Sequence, residues 1–275
     1  MPHFDPKSTR YPYPEDTSAH YIKVVEKKKI SFDEDYPYID RSKGFAFKRF
    51  WVRFLLTLIV FPLCRFIYGL KIEGKENLKK HSKELKNGFI SVANHVCFWD
   101  FIFIHKALRP RKPYTPVWDK NVTGPSGPLV RLMGGIPIPV SNMKVTLVFN
   151  KAILGELEKG NVLHVYPEGS MWEYYAPIRP FKKGAFYFSI AANKPILPLA
   201  FSYRKPSKIA SILFHSEASF TLRIGEPIFP DSAKDLLEAE EELTKKAHAS
   251  ICALAGFEEG ENPYPPIYNH SKKVD

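Results

Sequence analysis

His95 and Asp100 lie five positions apart in the stretch SVANHVCFWDFIFI, residues 91–104. The histidine follows an apolar run that ends at Asn94, and the aspartate opens the next apolar run. An imidazole with an ordinary pKa of about 6.5 can take a proton from a hydroxyl near neutrality. A carboxylate that folds back to the ring would fix its tautomer and stabilise the imidazolium once the proton arrives. General-base action of this kind contributes roughly 10²–10⁴-fold to a rate. The structural alternative is a hydrogen-bonded histidine beside an aspartate that caps a helix, and the pair alone does not choose between them.

Two further blocks carry groups of the right type. VYPEGS, residues 165–170, ends an apolar run in a Pro–Glu–Gly turn and sets Glu168, Gly169 and Ser170 at the same kind of edge as His95. RPFKKGAF, residues 179–186, gathers Arg179, Lys182 and Lys183 around a helix start, where cations and free N–H groups suit a phosphate. Two other chemistries draw on the same residues. Cys97 with His95 could form an acyl-enzyme, or simply fill space under the turn. His95, Asp100, His105, His164 and Glu168 include metal-ligand types, but Pro167 and the strand pattern break the interval between His164 and Glu168, and no metal is expected.

Short apolar runs at 70–74, 88–94, 161–167, 195–203 and 218–228 read as strands, and 100–108, 127–135, 142–160, 181–194 and 232–256 read as helices. At 136–140, Pro137 and Pro139 bar a central strand position throughout. The alternation predicts an α/β domain over 70–260, a mixed, mostly parallel sheet flanked by helices. His95 then falls at the carboxyl end of a strand, where open α/β sheets keep their ligand crevices. Residues 1–43 read as an extended arm and 261–275 as a Pro-rich tail.

Residues 44–69 are rich in Phe, Trp and Leu, with Lys48, Arg49 and Arg53 at the front. The uncharged run between Arg53 and Arg65 is short for a spanning helix, and Pro62 interrupts it. The pattern predicts a membrane-associated helix that lies in or dips into one leaflet with its cations on lipid phosphates; a core helix is the alternative. A net charge of +11 over 275 residues and a pI near 9.4 fit an anionic lipid surface. They would also fit nucleic acid, but no nucleic-acid-binding pattern accompanies them. Three scattered cysteines suit a reducing compartment.

Taken in order, NHVCFWD, GGIPIPV, YPEGS followed by PFKKGAF, and KPILPLA resemble the blocks of the glycerolipid acyltransferases, the PlsC-like lysophosphatidic acid acyltransferase family with the His-x4-Asp signature. The similarity covers about residues 70 to 228. It implies acyl transfer from acyl-CoA or acyl-ACP to a lysophospholipid hydroxyl, with 1-acyl-glycerol-3-phosphate as acceptor and phosphatidic acid as product. His95 would deprotonate the hydroxyl and Asp100 would orient His95. Glu168 and Gly169 would shape the acceptor pocket beside the base, with Asn94 and Ser170 beside them, and Arg131, Lys144, Arg179, Lys182 or Lys183 could supply cations for the acceptor phosphate. No cofactor is implied beyond the thioester co-substrate, and the place of work is the cytoplasmic face of the cell membrane, held peripherally or monotopically.

The sequence departs from that family in two places. Val140, with Ser141 next, stands where the family usually carries an Arg for the acceptor phosphate, and Met171 follows Ser170 where Arg is common. Both changes remove a bidentate phosphate partner, which leaves open another headgroup or a non-catalytic lipid-binding protein. The aromatic stretch MWEYYAPI, residues 171–178, is expected to line a headgroup pocket or lie on lipid. Phe98, Trp99, Phe101 and Phe103 are candidates for the wall of an acyl groove.

Overall fold

The computed structural model describes residues 4–6, 13–20, 22–140 and 142–268, so Ser141, part of the arm and the end of the tail lie outside the described residues. Seven strands are present among them: β1 (Lys71–Glu73), β2 (Phe89–Ala93), β3 (Thr115–Val117), β4 (Gly135–Pro137), β5 (Val162–Val165), β6 (Ile196–Arg204) and β7 (Ser219–Ile224). Five form one sheet in the order β1-β7-β6-β2-β5. Within it β2 runs parallel to both β5 and β6, β1 runs parallel to β7, and only β6 and β7 are antiparallel. This is the mixed, mostly parallel sheet that the strand–helix alternation calls for. The parallel pair β3–β4 forms a small second sheet, joined to β5 by a bridge between Tyr114 and Leu163.

The central strands are buried on both faces, which is why they read as continuous apolar runs. Phe89 and Ala93 of β2 face one layer of core with Leu199 and Phe201 of β6, whereas Ile90 and Val92 face the other with Ile196 and Ala200. α1 (Lys43–Leu55) runs into a π turn (Leu56–Val60), and on the first side lie that turn, α2 (Phe61–Tyr68), α3 (Lys75–Lys80), α4 (Ser82–Leu85) and α5 (Asp100–Ala107). The small helices α6 (Asp119–Thr123) and α7 (Gly127–Leu132) link β3 to β4. The opposite layer is built by α8 (Met143–Glu158), α9 (Gly184–Ala192) and α11 (Leu236–Ala255), and α10 (Lys208–Phe214) follows β6. The sequence periodicity does not reveal β3, α3, α4, α6 or α10, because each is one or two turns or three residues long.

Residues 43–68 form one 26-residue helical run, long and apolar enough by length and composition to cross a membrane. Pro62 does not break it. A π turn precedes it, and Pro62 falls in the first turn of α2. One side of the run lies along the domain. The Arg49 guanidinium donates to the Tyr114 hydroxyl (3.4 Å), Arg53 Nη2 donates to the Met133 carbonyl (2.8 Å), and Phe61 and Cys64 are buried. Gly134 makes this approach possible, since its φ is +103° and a Cβ there would stand 2.9 Å from Arg53 Nη2. The other side, including Phe50, Trp51, Phe54, Leu58, Ile59 and Phe66, is bare. An apolar face of that extent marks an interaction surface.

Candidate active site

Asn94 ends β2 by reaching sideways. Its side-chain amide donates to the Phe201 carbonyl (3.0 Å) and accepts from the Phe201 N–H (2.8 Å), extending the β2–β6 pairing by one side chain. That clamp fixes the turn on which His95 sits. Expected to contact substrate, Asn94 is instead buried and spent on the sheet.

His95 Nδ1–H donates to Asp100 Oδ2 at 2.7 Å. The same oxygen accepts the N–H groups of Val96 (3.2 Å) and Cys97 (3.4 Å), so the carboxylate is turned back onto the loop. It makes no capping bond to α5. Its other oxygen accepts the Tyr166 hydroxyl at 2.7 Å. The Asp100 side chain is 1% exposed and that of His95 24%. Among the described residues none hydrogen-bonds His95 Nε2, which this tautomer leaves as an acceptor on a partly exposed ring. A base of this tautomer, held by a fully engaged carboxylate, can take a proton from an incoming hydroxyl.

Tyr166 carries no signal in the sequence beyond an aromatic residue before Pro167. Its ring stacks on the His95 imidazole with centroids 3.8 Å apart and planes 10° apart. On another side it meets His164 edge-on at 4.5 Å. Burial pushes the His164 imidazole down to about 3, so it stays neutral, with Nδ1 against the Ser91 hydroxyl at 2.9 Å. Burial and the Asp100 charge hold the Tyr166 phenol well above its usual range, which keeps it a donor. Phe in place of Tyr166 should lower kcat about tenfold with little change in KM, the loss of one charge-assisted bond of about 1.4 kcal/mol or more. Steady-state kinetics of Tyr166→Phe checks this, and an unchanged kcat would deny Tyr166 a part in aiming the base.

The Pro–Glu–Gly turn completes the frame. Glu168 Oε2 accepts the His95 N–H (3.1 Å) and the Arg179 guanidinium (2.8 Å), and Oε1 accepts the Arg179 N–H (3.0 Å). Arg179 also donates to the Ser170 hydroxyl (2.7 Å), to the Ser170 carbonyl and to the Thr17 carbonyl (3.0 Å), and it lies 4.4 Å over the Trp172 ring. Arg179, Glu168 and Ser170 are all buried. Arg179 is thus a brace for the loop and not the phosphate ligand expected of it. The Trp172 and Tyr174 N–H groups donate to the His95 and Val96 carbonyls, which zips the two loops together.

The expected cations differ in what remains available. Arg131 donates to the carbonyls of Pro37, Tyr38 and Gly135, so it anchors the arm and not an acceptor. Lys183 pairs with Glu240 at 3.8 Å. Lys182 lies over the turn, since a Cβ on Gly169 (φ +80°) would meet its Nζ at 2.8 Å. Burial pulls the Lys182 ammonium down, and Asp16 opposes that.

Residues of the arm cross this same loop. Tyr13 stacks on Trp172 (5.4 Å) and meets Tyr175 edge-on (4.7 Å), while the Ala19 carbonyl accepts from Trp172 Nε1 (3.0 Å). His20 stacks on Trp118 at 3.9 Å, and its pKa is lowered by burial first and then by Lys182 and Arg179. From the tail, Asn262 bonds both backbone groups of Ile178. The stretch 171–178 is therefore packed under arm and tail, with Trp172, Tyr174, Ala176 and Ile178 buried, and does not lie on lipid or line an open pocket.

Of the groove candidates, Phe103 is core, Trp99 and Phe101 pack partly against it, and Phe98 is exposed three residues from His95. Cys97 is fully buried, and burial and then Asp100 push its thiol well above the usual range. A thiol so held supplies almost no thiolate, and Cys97→Ala should keep most of the parent activity in a turnover assay.

Residues 69–202 match the protein-family model described as Acyltransferase. The chain is 26% identical over 166 residues to human 1-acyl-sn-glycerol-3-phosphate acyltransferase beta, covering 60% of this chain and 58% of that protein. It is 28% identical over 139 residues to the Salmonella typhimurium 1-acyl-sn-glycerol-3-phosphate acyltransferase, covering 50% and 54%. The matches thus span less than two thirds of either relative. In fold it is similar to the Thermotoga maritima 1-acyl-sn-glycerophosphate acyltransferase PlsC, with a TM-score of 0.51 at 16% identity over 79% of this chain and 84% of that one. The segment matched by the acyltransferase family model holds β2, β5, the His95–Asp100 pair and the Glu168 turn.

Proposed function

We propose that this protein transfers a fatty acyl group from acyl-CoA or acyl-ACP to the free hydroxyl of 1-acyl-glycerol-3-phosphate, giving phosphatidic acid for phospholipid biosynthesis. The observation that carries the reading is the 2.7 Å bond between His95 Nδ1 and Asp100 Oδ2, which leaves Nε2 as an acceptor on a partly exposed ring.

In the proposed step Nε2 takes the acceptor's hydroxyl proton as the oxygen attacks the thioester carbonyl. The tetrahedral intermediate collapses with cleavage of the C–S bond. The departing thiolate recovers the proton from the imidazolium, so acyl ester and free thiol leave together. Asp100 stays ionised throughout and steadies the transient imidazolium. The step needs no metal and no redox group. Lys182, lying over Gly169 beside the base, would hold the acceptor phosphate. The bare face of helix 43–68 would seat the protein on one leaflet, where both lipid substrate and product reside. We place it at the cytoplasmic face, in keeping with its three free cysteines.

A second acceptor class is favoured by one observation. Val140 is 78% exposed where the related enzymes were expected to carry an Arg, so a lysophospholipid with a different headgroup is the alternative. Purified protein, a labelled acyl thioester and a panel of lysolipids decide between them. Product with lysophosphatidic acid alone supports the first reading, product only with other headgroups supports the second, and no product with any acceptor rejects both.

A further inference from the structure

We infer that α10 is a second lipid-contacting element, inserted shallowly into the same leaflet as helix 43–68 and recognising anionic headgroups. Ile209, Ile212 and Leu213 occupy positions i, i+3 and i+4, which lie on one face of a helix, and they are 59%, 72% and 65% exposed. The inner side is anchored. Ala210 is buried, and its N–H donates to the Ser207 hydroxyl that caps the helix (3.1 Å). This short amphipathic helix therefore holds an apolar face outward, left uncovered among the described residues.

Two observations name the occupant. The first is continuity: Phe214 meets Phe66 edge-on at 5.8 Å, so the bare face of α10 adjoins the bare face of the N-terminal helix. The second is charge. Lys205, Lys208 and Arg65 are exposed around the junction. A second copy docking here would bring like charges together in a chain of net charge +11, whereas an anionic bilayer surface pairs with them. Apolar side chains ringed by cations match an interfacial membrane helix. Two separate contacts would also fix the tilt of the domain on the bilayer, which one helix alone leaves free to roll. The inference rests on the membrane role proposed for helix 43–68.

The test uses the full chain with Cys252→Ser, which leaves Cys64 and Cys97 buried. Ile212→Cys or Phe54→Cys is added and labelled with an environment-sensitive fluorophore. Vesicles of phosphatidylcholine with phosphatidylglycerol should blue-shift both labels, and lipids brominated along the acyl chain should quench both. Ile212→Glu with Leu213→Glu should weaken vesicle partitioning at least tenfold while turnover of a short-chain, water-soluble acceptor stays at the parent level. A shift at 54 without one at 212 would overturn the role of α10 and leave the membrane role of helix 43–68 standing. No shift at either position would remove both. A shift at 212 that depends on protein concentration and not on lipid would replace the bilayer with a second copy.

Discussion

His95→Ala should lower turnover by about 10²–10⁴-fold while leaving vesicle binding at the parent level. The two readouts separate because His95 and the bare helix face are built from different elements. The imidazole stands on the turn after β2, and the bare face belongs to residues 43–68. Asp100→Asn should approach the same loss without removing the base. An amide in that position can donate to Nδ1, which favours the tautomer with its proton on Nε2, the atom that must accept. The N–H groups of Val96 and Cys97 and the Tyr166 hydroxyl, all aimed at the Asp100 oxygens, would face an amide nitrogen at one of them. Initial rates with a labelled thioester and pelleting with vesicles check both variants. A His95→Ala protein that keeps more than about a tenth of parent turnover is incompatible with general-base catalysis. One that retains binding and never had a parent rate to lose would make the chain a lipid-binding protein.

The pairing of His95 with Asp100 is legible in the sequence because both partners lie on one short turn, where spacing sets reach. The strands are legible for a related reason: burial on both faces leaves β2, β5 and β6 almost uninterrupted by charge. Tyr166, Thr17 and Ala19 are not legible. Each acts across a long stretch of chain, and nothing in its own neighbourhood announces the partner it will meet. The same limit explains Asn94, Arg131 and Arg179. The family resemblance for Asn94, and charge and position for the two arginines, pointed to substrate contact, yet each has its donors taken by backbone or buried groups that only the folded chain brings near. Pro62 shows the reverse error, since a proline that local rules treat as a break falls in the first turn of α2, just after a π turn.

Arg179→Met should destabilise the fold by about 3–5 kcal/mol, because removal of one partner strands the other charge in a buried site. Arg179 and Glu168 are 1% and 2% exposed and 2.8 Å apart, so little water can reach the orphaned carboxylate. For a chain of this size each kcal/mol moves Tm by about 2–4 °C, a fall that calorimetry resolves easily. Turnover should drop as well, since Glu168 also accepts the His95 N–H and would no longer be held at that distance. Adding Glu168→Gln to Arg179→Met removes the stranded charge and should return part of the lost stability. It should not return the KM for the acceptor, because the bonds from Arg179 to Ser170 and to the Thr17 carbonyl of the arm remain absent. If the single variant melts within about 1 °C of the parent, the buried pair is not what holds the turn. If the double variant recovers KM together with Tm, then Arg179 neutralises Glu168 and does nothing more. A recovered Tm with a raised KM shows instead that one guanidinium ties the arm, the Pro–Glu–Gly turn and the catalytic loop into a single unit.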